Sequence, residues 1–149
     1  MGSLVEAKCS CGYTANGSVG GLRCNYLDVC SFPFLCKDCD EMVRGNLYEY
    51  RNRCPACGGA NMISYEAPEL FKGSAKAQRV VSSGVTTYLA LREGYFPVRL
   101  SRLDKIKRFF KPQGPARSVW RDAELKSDGY YCPKCEAHNL GFELVGKID

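Results

Sequence analysis

Phe34-Leu35-Cys36-Lys37-Asp38-Cys39, followed after fourteen residues by Cys54-Pro55-Ala56-Cys57-Gly58-Gly59, is the stretch on which the fold turns. Two cysteines with two residues between them can bring both sulfurs to one ion without strain. Two such pairs complete the tetrahedral thiolate shell that suits a closed structural zinc site. The separation of the pairs is close to that of known zinc sites. Met42 and Val43, then Leu47, Tyr48 and Tyr50, have strand composition around Gly45-Asn46, which predicts a hairpin turning there. Met62-Ile63-Ser64-Tyr65 predicts a third short strand.

Two further pairs stand near the ends of the chain, Lys8-Cys9-Ser10-Cys11-Gly12 and Tyr130-Tyr131-Cys132-Pro133-Lys134-Cys135. Residues i and i+2 of a strand share a face, so Cys9 and Cys11 can present both sulfurs to one ion. A second site from Cys9, Cys11, Cys132 and Cys135 would join the two ends of the chain. Cys24 and Cys30 remain as substitutes for Cys9 or Cys11, and their plainer reading is as small buried apolar residues. His138, the single histidine, is close enough to Cys135 to enter a mixed shell, but eight cysteines already fill two. Lys8, Lys37 and Lys134 each neighbour a proposed ligand, where an ammonium group offsets thiolate charge or simply stays in water. Beyond Cys135, Leu140, Phe142 and Leu144 alternate with Gly141 and Glu143, which predicts a half-buried strand.

Residues 34–66 resemble a zinc ribbon, in which knuckles at hairpin tips clamp one ion beside a small antiparallel sheet. With the Cys-x-Cys-Gly opening and the Tyr-x-Cys-Pro-x-Cys close, the chain is similar to small bacterial zinc-ribbon proteins. That resemblance implies structural metal and carries no common activity. The expected fold is small, metal-stabilised and mainly β (α+β). It has two zinc-ribbon-like units with a basic helical/β insertion between them, in one compact domain over 1–149. The units are 34–66 and 1–15 plus 127–149, the insertion is 70–126, and two Zn2+ ions are expected. Sulfur-held metal, rather than a large apolar interior, is expected to keep the chain folded.

Ten cysteines in 149 residues would also suit a disulfide framework. Met1 to Lys8 lacks the charged start and apolar run of a secretory signal, and Glu6 stands where a myristoylation signal wants Ser or Thr. The expectation is therefore a cytoplasmic protein with reduced thiols, and no apolar run approaches a membrane span. The net charge of +5 hides a sharp division. Residues 70–126 hold 13 Lys/Arg against 4 Asp/Glu, while 1–69 hold 6 against 8 and 127–149 hold 2 against 4.

Within that basic middle, Ser101-Arg102-Leu103-Asp104 has the form of a helix cap and Pro112 ends the pattern, which predicts a helix near 102–111. Leu100, Leu103, Ile106 and Phe110 share one side, and Lys105, Arg108 and Lys111 the other. Arg99, Arg102, Lys107, Arg117 and Arg121 extend the patch. Residues 75–81 read as a short helix capped by Ser74, 85–91 as a strand, and Trp120 as a core anchor. A basic block of this kind suits nucleic-acid phosphates or an acidic protein partner.

An enzyme fits poorly. Catalytic zinc keeps an open position, and complete thiolate shells have none. The deaminase pattern would need His-x-Glu ahead of Pro-Cys-x-x-Cys, and a thiol oxidoreductase a β-α-β setting around its cysteines. The expectation is a non-catalytic protein with no small-molecule substrate, binding nucleic acid through the basic middle; alternatively, it is an adaptor for an acidic protein partner.

Overall fold

In the N-terminal hairpin, Val5 and Ala7 point inward while Glu6 and Lys8 point out, the period-two alternation of a strand with one buried face. The computed structural model describes residues 2–22, 29–49, 51–74, 76–83 and 123–148. These form eight strands: β1 (Gly2–Cys9), β2 (Thr14–Val19), β3 (Ser31–Cys36), β4 (Glu41–Asn46), β5 (Met62–Ser64), β6 (Arg79–Ser83), β7 (Ala123–Lys126) and β8 (Leu140–Ile148). One 3-10 turn, Pro68–Leu70, completes the regular structure, and there is no α-helix among the described residues.

The strands make three antiparallel sheets, ordered β2-β1-β8, β4-β3-β5 and β6-β7. The first two join where Gly20 and Ser31 exchange backbone hydrogen bonds of 2.9 Å each way. Their inner faces share one apolar core. Val5, Val19, Leu35, Leu140 and Phe142 meet Val81 and Leu125 of the third sheet there, around the fully buried Tyr65. The rings of Tyr65, Tyr130 and Phe142 meet edge to face at centroid distances of 5.1–5.9 Å. A continuous apolar interior thus stands beside the cysteine clusters, where the sequence suggested that metal would take its place.

The terminal strand expected around Leu140, Phe142 and Leu144 is β8, and Met62–Ser64 is the expected third strand of the first unit. Two expectations are corrected. The hairpin does not turn at Gly45-Asn46: both lie in β4, and the chain turns at Lys37–Asp40, inside the first cysteine pair. Gly45 is there because the Phe34 ring lies against its backbone; a Cβ would stand 2.5 Å from that ring. The helix expected over 75–81 is also replaced, since Arg79–Ser83 is strand β6. Ser74 does receive the Lys76 N–H on its hydroxyl, at 3.2 Å, but pairing with β7 and burial of Val81 then draw the chain out straight. Tertiary pairing overrides a local cap.

The helix near 102–111, the strand over 85–91, Tyr50, Trp120 and Cys24 lie outside the described residues, as do Arg99, Arg102, Lys105, Lys107, Arg108, Lys111, Arg117 and Arg121. A basic helical insertion therefore has no support among the described residues. The frame that holds this segment is described. Ser83 and Ala123, the described residues on either side of 84–122, are directly paired.

Candidate metal centres

The topology brings the cysteine pairs together in two places. Cys9, the last residue of β1, is opposite Leu140, the first of β8, and Leu140 is bridged to Tyr130. The Cys132–Cys135 turn is thereby folded beside the Cys9–Cys11 turn. At the other place, Cys36 ends β3 opposite both Glu41 and Met62, which lays the loop leading into β5 beside the β3–β4 turn. Lys37 donates its N–H to the Asn61 carbonyl at 2.9 Å and closes that approach.

All four cysteine turns follow one design. The first cysteine faces the residue two beyond the second. Cys9 N–H donates to Tyr13, Cys54 to Gly59 and Cys132 to Ala137, at 2.8–3.0 Å, while Cys36 is the strand partner of Glu41. The residue directly after the second cysteine is left-handed in every case: Gly12 at φ 83°, Asp40 at 51°, Gly58 at 73° and Glu136 at 55°. That reversal aims both sulfurs inward.

Cys9, Cys11, Cys132 and Cys135 form one sulfur cluster, and Cys36, Cys39, Cys54 and Cys57 the other, with all four sulfurs of each within 4.8 Å of one another. Across the clusters, Cys9–Cys135 measures 3.6 Å, and Cys11–Cys132, Cys36–Cys57 and Cys39–Cys54 each 3.7 Å. Sulfurs held about 2.3 Å from a tetrahedral centre are about 3.8 Å apart, whereas a disulfide needs about 2.05 Å. The spacing fits a single ion in each cage. The donor set is soft, four thiols in each cluster. His138 is outside both clusters; it meets the Tyr131 ring edge-on at 5.7 Å, and its buried Nε2 has no hydrogen-bond partner among the described residues. Cys30 is a buried free thiol beside Tyr48, and burial pushes its pKa up to about 12.

Backbone N–H groups converge on the sulfurs, as a thiolate shell requires. For Cys54, burial pushes the thiol up, but the N–H groups of Cys57 and Ala56, with the neighbouring thiols, outweigh it and draw the pKa down to about 7. Cys9 is likewise drawn down to about 7, burial being outweighed by the Cys11 N–H and the facing thiols. Its cage-mate Cys132 is held up at about 12 by burial, and burial also raises Cys39.

Several supporting residues carry no motif. Asp38 sits inside the first turn and accepts from the backbone and side-chain amides of Asn61 at 3.3 and 2.5 Å, tying the two turns of that cage together. Met42 N–H donates to the Tyr13 hydroxyl at 3.1 Å, and the Tyr65 hydroxyl donates to the Tyr131 carbonyl at 3.2 Å. Both bonds run from one cysteine hairpin to the other, so the two centres are neighbours in one framework. Lys8, a candidate for offsetting thiolate charge, binds Glu6 and Glu143 at 3.0 and 2.8 Å instead. No protein-family model, curated protein sequence or solved structure matches this chain. No helix among the described residues is long and apolar enough to cross a membrane.

Proposed function

We propose that this is a non-catalytic zinc-ribbon protein that holds one structural Zn2+ in each sulfur cage and binds nucleic acid through its basic segment. All-thiolate tetrahedral shells favour zinc among the abundant divalent ions, and a closed shell leaves no coordination position for water or substrate. The observation that carries the nucleic-acid reading is the concentration of charge in one stretch of sequence. Residues 84–122, between the paired Ser83 and Ala123, hold nine Lys/Arg against three Asp/Glu. Arg99, Arg102, Lys105, Lys107, Arg108, Lys111, Arg117 and Arg121 are the proposed phosphate contacts.

Affinity of this kind is electrostatic. If about six of these groups meet duplex phosphates, the logarithm of the binding constant falls against the logarithm of salt concentration with a slope of about −5. Mobility shifts of unrelated DNA and RNA fragments across a salt series check this, and no retardation at low salt would refute it. Binding of an acidic protein partner is the second reading. It draws on the same excess of Lys/Arg in residues 84–122. That reading predicts capture of a protein with no affinity for nucleic acid.

A further inference from the structure

Between β4 and β5, the described residues 47–49 and 51–61 leave a cleft of about 570 Å3 between themselves and the β4-β3-β5 sheet. Phe34, Leu47 and Met62 give it an apolar lining, and Arg51 and Arg53 stand beside them. Both arginines are exposed, and neither has an ion-pair or hydrogen-bond partner among the described residues. The loop that carries them is nonetheless tied at Asn52. Asn52, between them, accepts the Asn46 N–H at 2.8 Å and donates to the carbonyls of Asn46 and Glu49 at 2.9 and 3.0 Å. One amide side chain thus pins the loop and sets the two arginines, without an ion-pair partner among the described residues, beside Phe34, Leu47 and Met62.

We propose that this cleft takes one unstacked nucleotide unit of a single-stranded nucleic acid. The base lies against Phe34, Leu47 and Met62, and its flanking phosphates lie on Arg51 and Arg53. A base is a flat, largely apolar ring with a polar edge, and a guanidinium fork suits phosphate oxygens. Ser64 and Glu49, also in the lining, serve the polar edge. The Ser64 hydroxyl oxygen already accepts the Glu66 N–H at 3.1 Å, which leaves its proton for an acceptor on the base, and the Glu49 carboxylate accepts from an exocyclic amine. A duplex keeps its bases stacked and cannot place one in the cleft without flipping it out.

The inference rests on the proposed nucleic-acid function but uses residues outside the basic segment, so the two fail separately. The test is fluorescence anisotropy of the full-length, metal-loaded protein with a labelled short single strand and with its duplex. Arg51→Ala/Arg53→Ala is expected to weaken single-strand binding about tenfold, to flatten its log–log salt dependence by about 1.4, and to leave duplex binding within about twofold. Unchanged metal content and circular dichroism establish that this variant is folded. Lys105→Ala/Arg108→Ala/Lys111→Ala is expected to weaken both ligands. A cleft variant that binds the single strand normally, or loses both ligands equally, overturns the cleft. A loss confined to the cleft variant keeps the cleft and overturns the basic-segment reading. Millimolar nucleoside monophosphate is expected to displace the oligomer from the wild-type protein, and inorganic phosphate at equal ionic strength is not. Equal displacement by phosphate would show that charge alone is read and would overturn the base subsite.

Discussion

The left-handed residue that closes each cysteine turn is glycine in two turns and carries a side chain in the other two. An L residue there costs about 1–2 kcal/mol in sterics, and aspartate tolerates the region better than glutamate. A Cβ on Gly12 or Gly58 would meet nothing within 4 Å, so Gly58→Ala loses about 1 kcal/mol through backbone strain alone. Glu136→Gly is expected to raise the thermal midpoint, and Asp40→Gly to raise it less; the reverse order would contradict this account of the turns. Protonation belongs to the same scale. Cys9 and Cys54, drawn down to about 7, are largely thiolate at pH 8, whereas Cys132, at about 12, is a thiol. Metal must displace the protons that remain. Uptake of zinc by the metal-free protein at pH 8 should therefore release protons into a weakly buffered indicator solution. Zinc affinity should fall as the pH is lowered from 8 through 7, where Cys9 and Cys54 also become protonated.

At the scale of the element, each hairpin places a cysteine turn by its register. In the β4-β3-β5 sheet the contact between Gly45 and the Phe34 ring holds that register. An added methyl would meet a mostly buried ring at 2.5 Å and the Asn52 side-chain Oδ1 at 3.1 Å. Gly45→Ala should destabilise the protein by about 1–3 kcal/mol in denaturant unfolding while both cages keep their metal. An unchanged midpoint would show that the ring is free to move. β8 has another role. Its pairing with β1 breaks register between Leu4 and Val5, so Val145 is an extra residue, and Leu4, Leu144 and Val145 emerge to solvent while Leu140 and Phe142 stay inside.

Across the described residues, two sulfur clusters stand beside the main apolar core. The Met42–Tyr13 and Tyr65–Tyr131 bonds join the two halves through the core. Binding of structural zinc is worth on the order of 10–16 kcal/mol in small finger peptides, comparable with the whole stability of a domain. Metal analysis of untagged protein should give two ions per chain. Cys57→Ser and Cys135→Ser should each retain one, with the larger loss of β-sheet circular dichroism on full chelation. A well-folded chain with no bound metal would overturn the zinc reading.

The cysteine spacing alone made the grouping of Cys36, Cys39, Cys54 and Cys57 legible, because two thiols close in sequence can meet one ion whatever surrounds them, whereas Cys24 and Cys30 stayed open as substitutes for Cys9 or Cys11 until the fold set that pair against Cys132 and Cys135. The alternation in residues 140–144 likewise marked a strand, since one face had to be apolar. Other features depend on residues distant in sequence. Nothing local to Ser74–Val81 shows that β7 will pair with it, and Gly45-Asn46 looks like a turn until the Phe34 ring explains the glycine. Asp38, Asn52 and Tyr13 have ordinary sequence surroundings, and only their partners across the fold give them a role. Short-range chemistry was thus written in the sequence itself. Which turns became neighbours, which strands paired, and where a cleft opened between a loop and a sheet were decided by tertiary packing, because those contacts form only when distant segments bury a common surface.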